Sequence, residues 1–169
     1  RQVTPGGMGF SVVQSGGPRR AGGGSASGSG GAQKRQMPPF PLGPSMWTHV
    51  SVASTASGDN EHYIFSFLES LFRTTQHAPF ALRVTAVDNS PGSGLGRRLR
   101  QRFSAITVTE NATRRGHSAN HNTALADSDA DYFLVANDDI VFTDGALERA
   151  VWYLEDPAHV QVGVIAFNL

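Results

Sequence analysis

The chain has 169 residues, with 14 Lys and Arg balanced by 14 Asp and Glu, 19 glycines, 9 prolines and no cysteine. That length suits one ordinary domain. The lack of cysteine excludes a disulfide framework, a thiolate zinc site and a cysteine nucleophile, and no apolar run approaches the ~18 residues of a membrane span.

The neutral total hides an asymmetry. Residues 1–46 carry 12 of the glycines, 6 of the prolines, five positive charges (Arg1, Arg19, Arg20, Lys34, Arg35) and no acid, which leaves 9 basic against 14 acidic residues for the remainder. The stretch from Ala21 to Ala32 is nearly all Gly, Ser and Ala, and such a segment cannot repay its ordering entropy by burial. Residues 1–46 are therefore expected to be a disordered Gly/Pro/Ser-rich basic tail or linker. A targeting peptide would need an apolar centre or an amphipathic helix, and a nucleic-acid arm would need aromatic residues among its charges. Neither is present, so no nucleic-acid partner is expected.

From Trp47 the pattern changes to alternating strands and helices. Val50 to Thr55 reads as a strand, and Ser57-Gly58-Asp59-Asn60 offers turn and capping residues ahead of an apolar stripe at Ile64, Phe67, Leu68, Leu71 and Phe72. Phe80 to Val87 is a second strand, closed by Asp88-Asn89-Ser90-Pro91-Gly92, and Leu95, Leu99 and Phe103 mark a short Arg-rich helix. Ile106 to Thr109 is a third strand, followed by a helix over about Ser118 to Ala126. Tyr132 to Ala136 is a fourth strand ending in Asn137-Asp138-Asp139. Thr143 or Asp144 is expected to cap a helix with Leu147, Val151 and Leu154 on one face, and Val160 to Phe167 is a fifth strand. This alternation predicts βαβ units in an α/β fold with a mostly parallel sheet, whose ligands bind outside the carboxyl ends of the strands. The polar clusters Ser54 to Ser57, Asp88-Asn89 and Asn137 to Asp139 all fall at such ends.

Two adjacent carboxylates at a sheet rim repel one another unless a cation or a donor compensates them. Asp138 and Asp139 thus suit Mg²⁺ or Mn²⁺, bound through one or two carboxylates together with substrate phosphates, although a polar strand-to-helix turn is an equally simple account. Asp88 can accept from a base or a ribose, or else open an Asx-turn. Gly92-Ser93-Gly94-Leu95-Gly96 is one residue short of a dinucleotide fingerprint, which keeps an NAD-dependent oxidoreductase as a lesser alternative. His117 and His121 stand four apart and could share a helix face as metal ligands, or be partly exposed polar residues. Asn111-Ala112-Thr113 fits a glycosylation sequon by chance, and no hydrolase elbow or P-loop is present.

Taken in order, four segments resemble family 2 of the glycosyltransferases, with the closest likeness to its rhamnosyltransferase-like members. They are Val50 to Thr55, Val87-Asp88-Asn89-Ser90, Glu110-Asn111 leading to Gly116-His117-Ser118-Ala119-Asn120-His121-Asn122, and Asp131 to Asp139. The resemblance covers about residues 47–169. It implies a Rossmann-like GT-A domain that binds a nucleotide-diphosphate sugar and works by inverting, metal-dependent transfer to a saccharide or other hydroxyl acceptor. It places Thr55 beside the base, Asp88 on the nucleoside, Gly116 to Asn122 along the donor pocket, Asn137 and Asp138 against the donor, and Asp139 on a divalent metal, Mn²⁺ or Mg²⁺. It also implies an enzyme that is cytoplasmic or peripheral at a membrane, with an acceptor half and its general base beyond Leu169. A non-catalytic nucleotide-binding or scaffold domain is the alternative from a different class.

Overall fold

The computed structural model describes residues 11–14, 46–55 and 60–167. In chain order the elements are strand β1 (Ser11–Gln14), strand β2 (Trp47–Ser54), helix α1 (Glu61–Thr75), strand β3 (Ala81–Asp88), helix α2 (Leu95–Arg102), strand β4 (Thr107–Glu110), helix α3 (His117–Ala126), strand β5 (Tyr132–Asn137), helix α4 (Ala146–Glu155) and strand β6 (Val164–Ala166). The strands form one sheet in the order β4-β3-β2-β5-β1-β6. β2 runs parallel to β3 along its whole length and parallel to β5 from Thr48↔Tyr132 to Ala53↔Asn137, and β3 runs parallel to β4. Successive strands step outward from β2 through β3 to β4, and the chain then crosses back to place β5 on the other side of β2. A sheet of this kind has its switch point between β2 and β5, and the crevice at their carboxyl ends is where ligands bind.

Alternation along each strand sends side chains to opposite faces, and here the two faces differ in chemistry. One face carries Val50, Val52, Val84, Ala86, Tyr132, Leu134 and Ala136. It packs against Ile64, Phe67, Leu68 and Leu71 of α1, Leu95 and Leu99 of α2, and Leu147, Val151 and Leu154 of α4. Phe67 and Phe142 meet edge to face at 5.3 Å. Each buried Val, Leu, Ile or Phe among them contributes roughly 1.5–3 kcal/mol by leaving water. The opposite face carries the alternate residues His49, Ser51 and Thr85, all buried; His49 meets Thr85, and Ser51 meets the buried His121 of α3.

The apolar stripe of α1 is buried as its spacing predicts, with Ile64, Phe67, Leu68 and Leu71 all inaccessible. Other boundaries differ from the sequence reading. Ser11–Gln14 lies inside the segment expected to be a disordered tail, yet it forms β1, antiparallel to both β5 and β6. Four residues carry too little periodicity to register as a strand, and this strand exists through its two partners rather than its own propensity. The rest of residues 1–45 lies outside the described residues. β2 begins at Trp47, three residues early, because Trp47 N–H donates to Asp131 at 2.8 Å and the Met46 carbonyl accepts from Ala81.

Helix α4 is capped by neither Thr143 nor Asp144. Its N-cap is Gly145, in the left-handed region at φ 70°. A glycine takes that conformation at no steric cost, so the turn is completed one or two residues later than a side-chain cap would place it. The last strand is shortened from eight expected residues to Val164–Ala166. Asp156 accepts from Ala158 N–H at 2.9 Å, and Pro157 opens a 3-10 turn that consumes Val160.

Candidate functional site

The carboxyl ends of β2, β3 and β5 bring most of the residues singled out from sequence to one rim of the sheet. Ser54 closes β2, and Thr55 follows it, exposed. Asp88 and Asn89 close β3 and are buried. The Ser54 carbonyl accepts from Asn89 N–H at 2.9 Å, which ties the two strand ends together. Asn137 closes β5, half-buried, followed by half-buried Asp138 and exposed Asp139.

Asp138 is held by its surroundings. Burial pushes its carboxyl above the usual carboxylate range, a hydrogen bond from Ser54 opposes that rise, and the neighbouring charge of Asp139 adds to it. A desolvated carboxylate beside a second one is a place where a cation would lower the energy of the charged pair. Among the described residues no group of three or more His, Cys, Asp or Glu is arranged to hold a metal ion. A two-carboxylate rim suits the hard cations that take the rest of their ligands from water and phosphate, so the donor set of Asp138 and Asp139 fits Mg²⁺ or Mn²⁺.

Asp88 is engaged by its own loop. One carboxylate oxygen accepts from Ser90 N–H at 2.9 Å, the other accepts from Gly96 N–H at 2.9 Å, and the Ser93 hydroxyl lies between them at 3.4 and 3.3 Å. The Ser90 contact is the Asx-turn considered above. The Gly96 contact places the carboxylate on the first turn of α2, where backbone N–H groups and the helix dipole favour a negative charge. Gly92 and Gly94 sit at φ 77° and 71°, and a Cβ on Gly96 would come within 2.5 Å of Glu110. The glycines thus serve a tight turn and a close packing. The anion position of a dinucleotide loop is already taken by Asp88, which removes the physical basis of the oxidoreductase alternative.

The loop before α3 is stapled to Asn89. The Asn89 amide oxygen accepts from Arg115 N–H and from Asn111 Nδ2, both at 2.8 Å, and its Nδ2 donates to the Arg115 carbonyl at 2.9 Å. Asn111 Nδ2 also donates to Asn120 at 2.8 Å. With both of its donors used, Asn111 is a structural residue and its sequon has no free amide. Gly116, the N-cap of α3, lies at φ −66°, and a Cβ built there would meet open space.

His117 and His121 do share a face of α3, with ring centroids 4.4 Å apart. His117 is exposed and His121 is 3% exposed. The expectation of two partly exposed residues therefore fails for His121, whose polar neighbours in sequence concealed that it faces the sheet. Its Nδ1 lies 2.9 Å from Ser51 Oγ, its Nε2 lies 3.2 Å from His117 Nε2, and that nitrogen of His117 lies 3.1 Å from Asn137 Oδ1. Burial, with the neighbouring His117, holds the His121 pKa at about 4. Asn122 is exposed, about 100° round the helix from His121, and is not drawn into this chain. Between α3 and the β3–β4 side of the sheet lies a groove of about 290 Å³, lined by His49, Thr85, Thr107, Thr109, Asn111 and Asn120 among others.

Sequence reasoning gave Ser51 no role of its own and met Asn89 and Asn111 only as parts of motifs, while Asn120 lay inside the segment that the resemblance set along the donor pocket. No helix among the described residues is long and apolar enough to cross a membrane.

A parallel sheet with a polar, carboxylate-bearing rim at its switch point is the architecture of a nucleotide-binding α/β domain. Residues 58–168, more than half of the chain, match the glycosyl transferase family 2 profile, and the chain belongs to that family. The fold is the Rossmann-like GT-A arrangement. A mannosyltransferase from Pyrobaculum calidifontis, solved in complex with GDP-Man and Mn²⁺, is similar over 71% of this chain and 36% of its own, with 23% identity and a TM-score of 0.56. TarS residues 1–349 from S. aureus are similar over 66% of this chain and 33% of that one, with 22% identity and a TM-score of 0.51. The chain thus spans about a third of the length of these two solved structures. No curated protein matches it in sequence.

Proposed function

We propose that the chain is the nucleotide-sugar-binding part of a glycosyltransferase that transfers a sugar, with inversion, from a nucleotide-diphosphate sugar to a saccharide or other acceptor hydroxyl. The observation that carries this reading is the convergence of Thr55, Asp88, Gly116 and Asn137 to Asp139 on one rim, next to a switch point, in a chain of this family. The likeness to the rhamnosyltransferase-like members rests on the sequence motifs.

In this reading Thr55 and the loop held by Asp88 border the nucleoside. Asp88 keeps that loop in shape with three donors, which leaves about one of its four acceptor positions for the ligand. The open space over Gly116 leaves room for the donor to approach α3. Asn122 lies at the outer border of that pocket. Asn137 and Asp138 face the donor, and Asp139 holds the divalent cation. When bound, that cation supplies Lewis-acid stabilisation of the charge developing on the leaving nucleoside diphosphate.

In the reaction the acceptor oxygen bonds to the anomeric carbon as the bond from that carbon to the diphosphate oxygen breaks. The acceptor proton passes to a general base. Ser54 keeps Asp138 oriented by donating to it, and burial keeps competing water from that carboxylate. Lewis-acid stabilisation is worth several kcal/mol, so Asp139→Ala in the full-length protein lowers transfer by a factor on the order of 10² or more. The check is sugar transfer measured across a Mn²⁺ titration. Wild-type transfer with an unchanged metal response in that variant would remove Asp139 from the site.

A further inference from the structure

A line of polar contacts joins the interior of the sheet to the rim, and the protons along it can be placed. Asn137 Oδ1 can only accept, so His117 Nε2, 3.1 Å away, carries the proton of that contact. His121 Nε2 lies 3.2 Å from the same nitrogen and must then accept. With a pKa of about 4, His121 is neutral at physiological pH and holds one ring proton. That proton is on Nδ1 and is donated to Ser51 Oγ at 2.9 Å. Ser51 and His121 are both buried, so the inner end of the line is anchored, while His117 and Asn137 form its outer end.

The consequence falls on Asn137. Its Oδ1 is turned toward His117, so its Nδ2, with two N–H donors, is turned the other way, and none of the described residues accepts from it. The opposite orientation would set Nδ2 against the His117 N–H, donor against donor.

We infer that His117, backed by His121 and Ser51, is a positioning residue that fixes the Asn137 amide with its N–H groups toward the donor site, so that Asn137 binds an acceptor oxygen of the nucleotide-diphosphate sugar rather than a cation. The ligand atom is a phosphate or hydroxyl oxygen. The inference rests on the donor-site reading given above.

Two measurements on the full chain test it. The first needs no ligand: ¹⁵N-resolved NMR of the imidazoles at neutral pH is expected to find the His121 proton on Nδ1 and a proton on His117 Nε2. A His121 proton on Nε2 would reverse the line and overturn the assignment. The second is calorimetric titration with UDP, dTDP and GDP in the presence of Mn²⁺. His117→Ala is expected to weaken binding about tenfold, the scale of one hydrogen bond to a charged group that is no longer presented. His117→Gln, which can still donate to Asn137 Oδ1, is expected to restore affinity to within about threefold. Because His117 is exposed, an unchanged thermal midpoint in both variants is the expected control. If wild type binds and His117→Ala binds equally well, the positioning role is wrong and the donor-site reading stands. If wild type binds none of the three nucleotides with or without Mn²⁺, both fall together.

Discussion

The two faces of the sheet divide the work of the protein. The face toward α1, α2 and α4 is apolar and close-packed, with Val50, Val52, Leu134, Phe67 and Leu154 all inaccessible to solvent. The face toward α3 buries His49, Ser51, Thr85, Asn120 and His121 instead, and satisfies them with one another and with Ser128, His117 and Asn111. Apolar burial is non-directional and supplies stability, whereas hydrogen bonds add little net stability but fix orientation. On the rim, Asn137 is engaged from the second face through His117, whereas Asp88 is held by the first turn of α2 and Asp138 by Ser54.

The most damaging way to break this division is at the apolar face. Phe67→Ala is expected to cost about 3–5 kcal/mol in denaturant unfolding, since it leaves a cavity among α1, β2 and Phe142. Nucleotide affinity of the fraction that remains folded should be unchanged. A large loss of affinity in that variant would mean that the two faces are not separable.

A smaller effect comes from acid. His49 and His121 both have pKa values below their ordinary value, chiefly through burial. As pH falls below about 6.5 the unfolded chain takes up protons that the folded chain refuses, so stability drops until His121 protonates in the fold near pH 4. The loss is expected to be on the order of 1–3 kcal/mol across that window. Chemical unfolding at a series of pH values checks it, and His121→Gln should flatten the slope. A slope of the opposite sign would contradict the burial of the two rings.

The smallest effect on stability is expected at the rim. Gly116→Ala meets open space at negative φ and should change stability by no more than about 0.5 kcal/mol. Its methyl group would still intrude on the donor, so nucleotide-sugar affinity should fall several-fold in a binding titration. Unchanged affinity would move the donor away from α3.

What was legible in the sequence follows the same division. The apolar face announces itself by period: the stripe from Ile64 to Leu71 and the runs Val50 to Ala53 and Tyr132 to Ala136 were readable as elements, and their alternation gave the class of fold. Asn137 to Asp139 could be placed at a strand end because a continuous apolar run precedes them. The polar face left no such trace. His121 stands between Asn120 and Asn122 in a segment with no apolar period, so its burial depends on α3 lying across β2, a tertiary fact. The engagement of Asp88 by Gly96, eight residues on, needed the exact course of a glycine-rich loop. The β1 strand needed two partners far along the chain.

The most direct test of the central claim is calorimetric titration of the full chain with UDP, dTDP, GDP and NAD, each with and without Mn²⁺. The account predicts that one nucleoside diphosphate binds and that it does so only when Mn²⁺ is present. Binding of NAD without metal, or of no nucleotide at all, would contradict it.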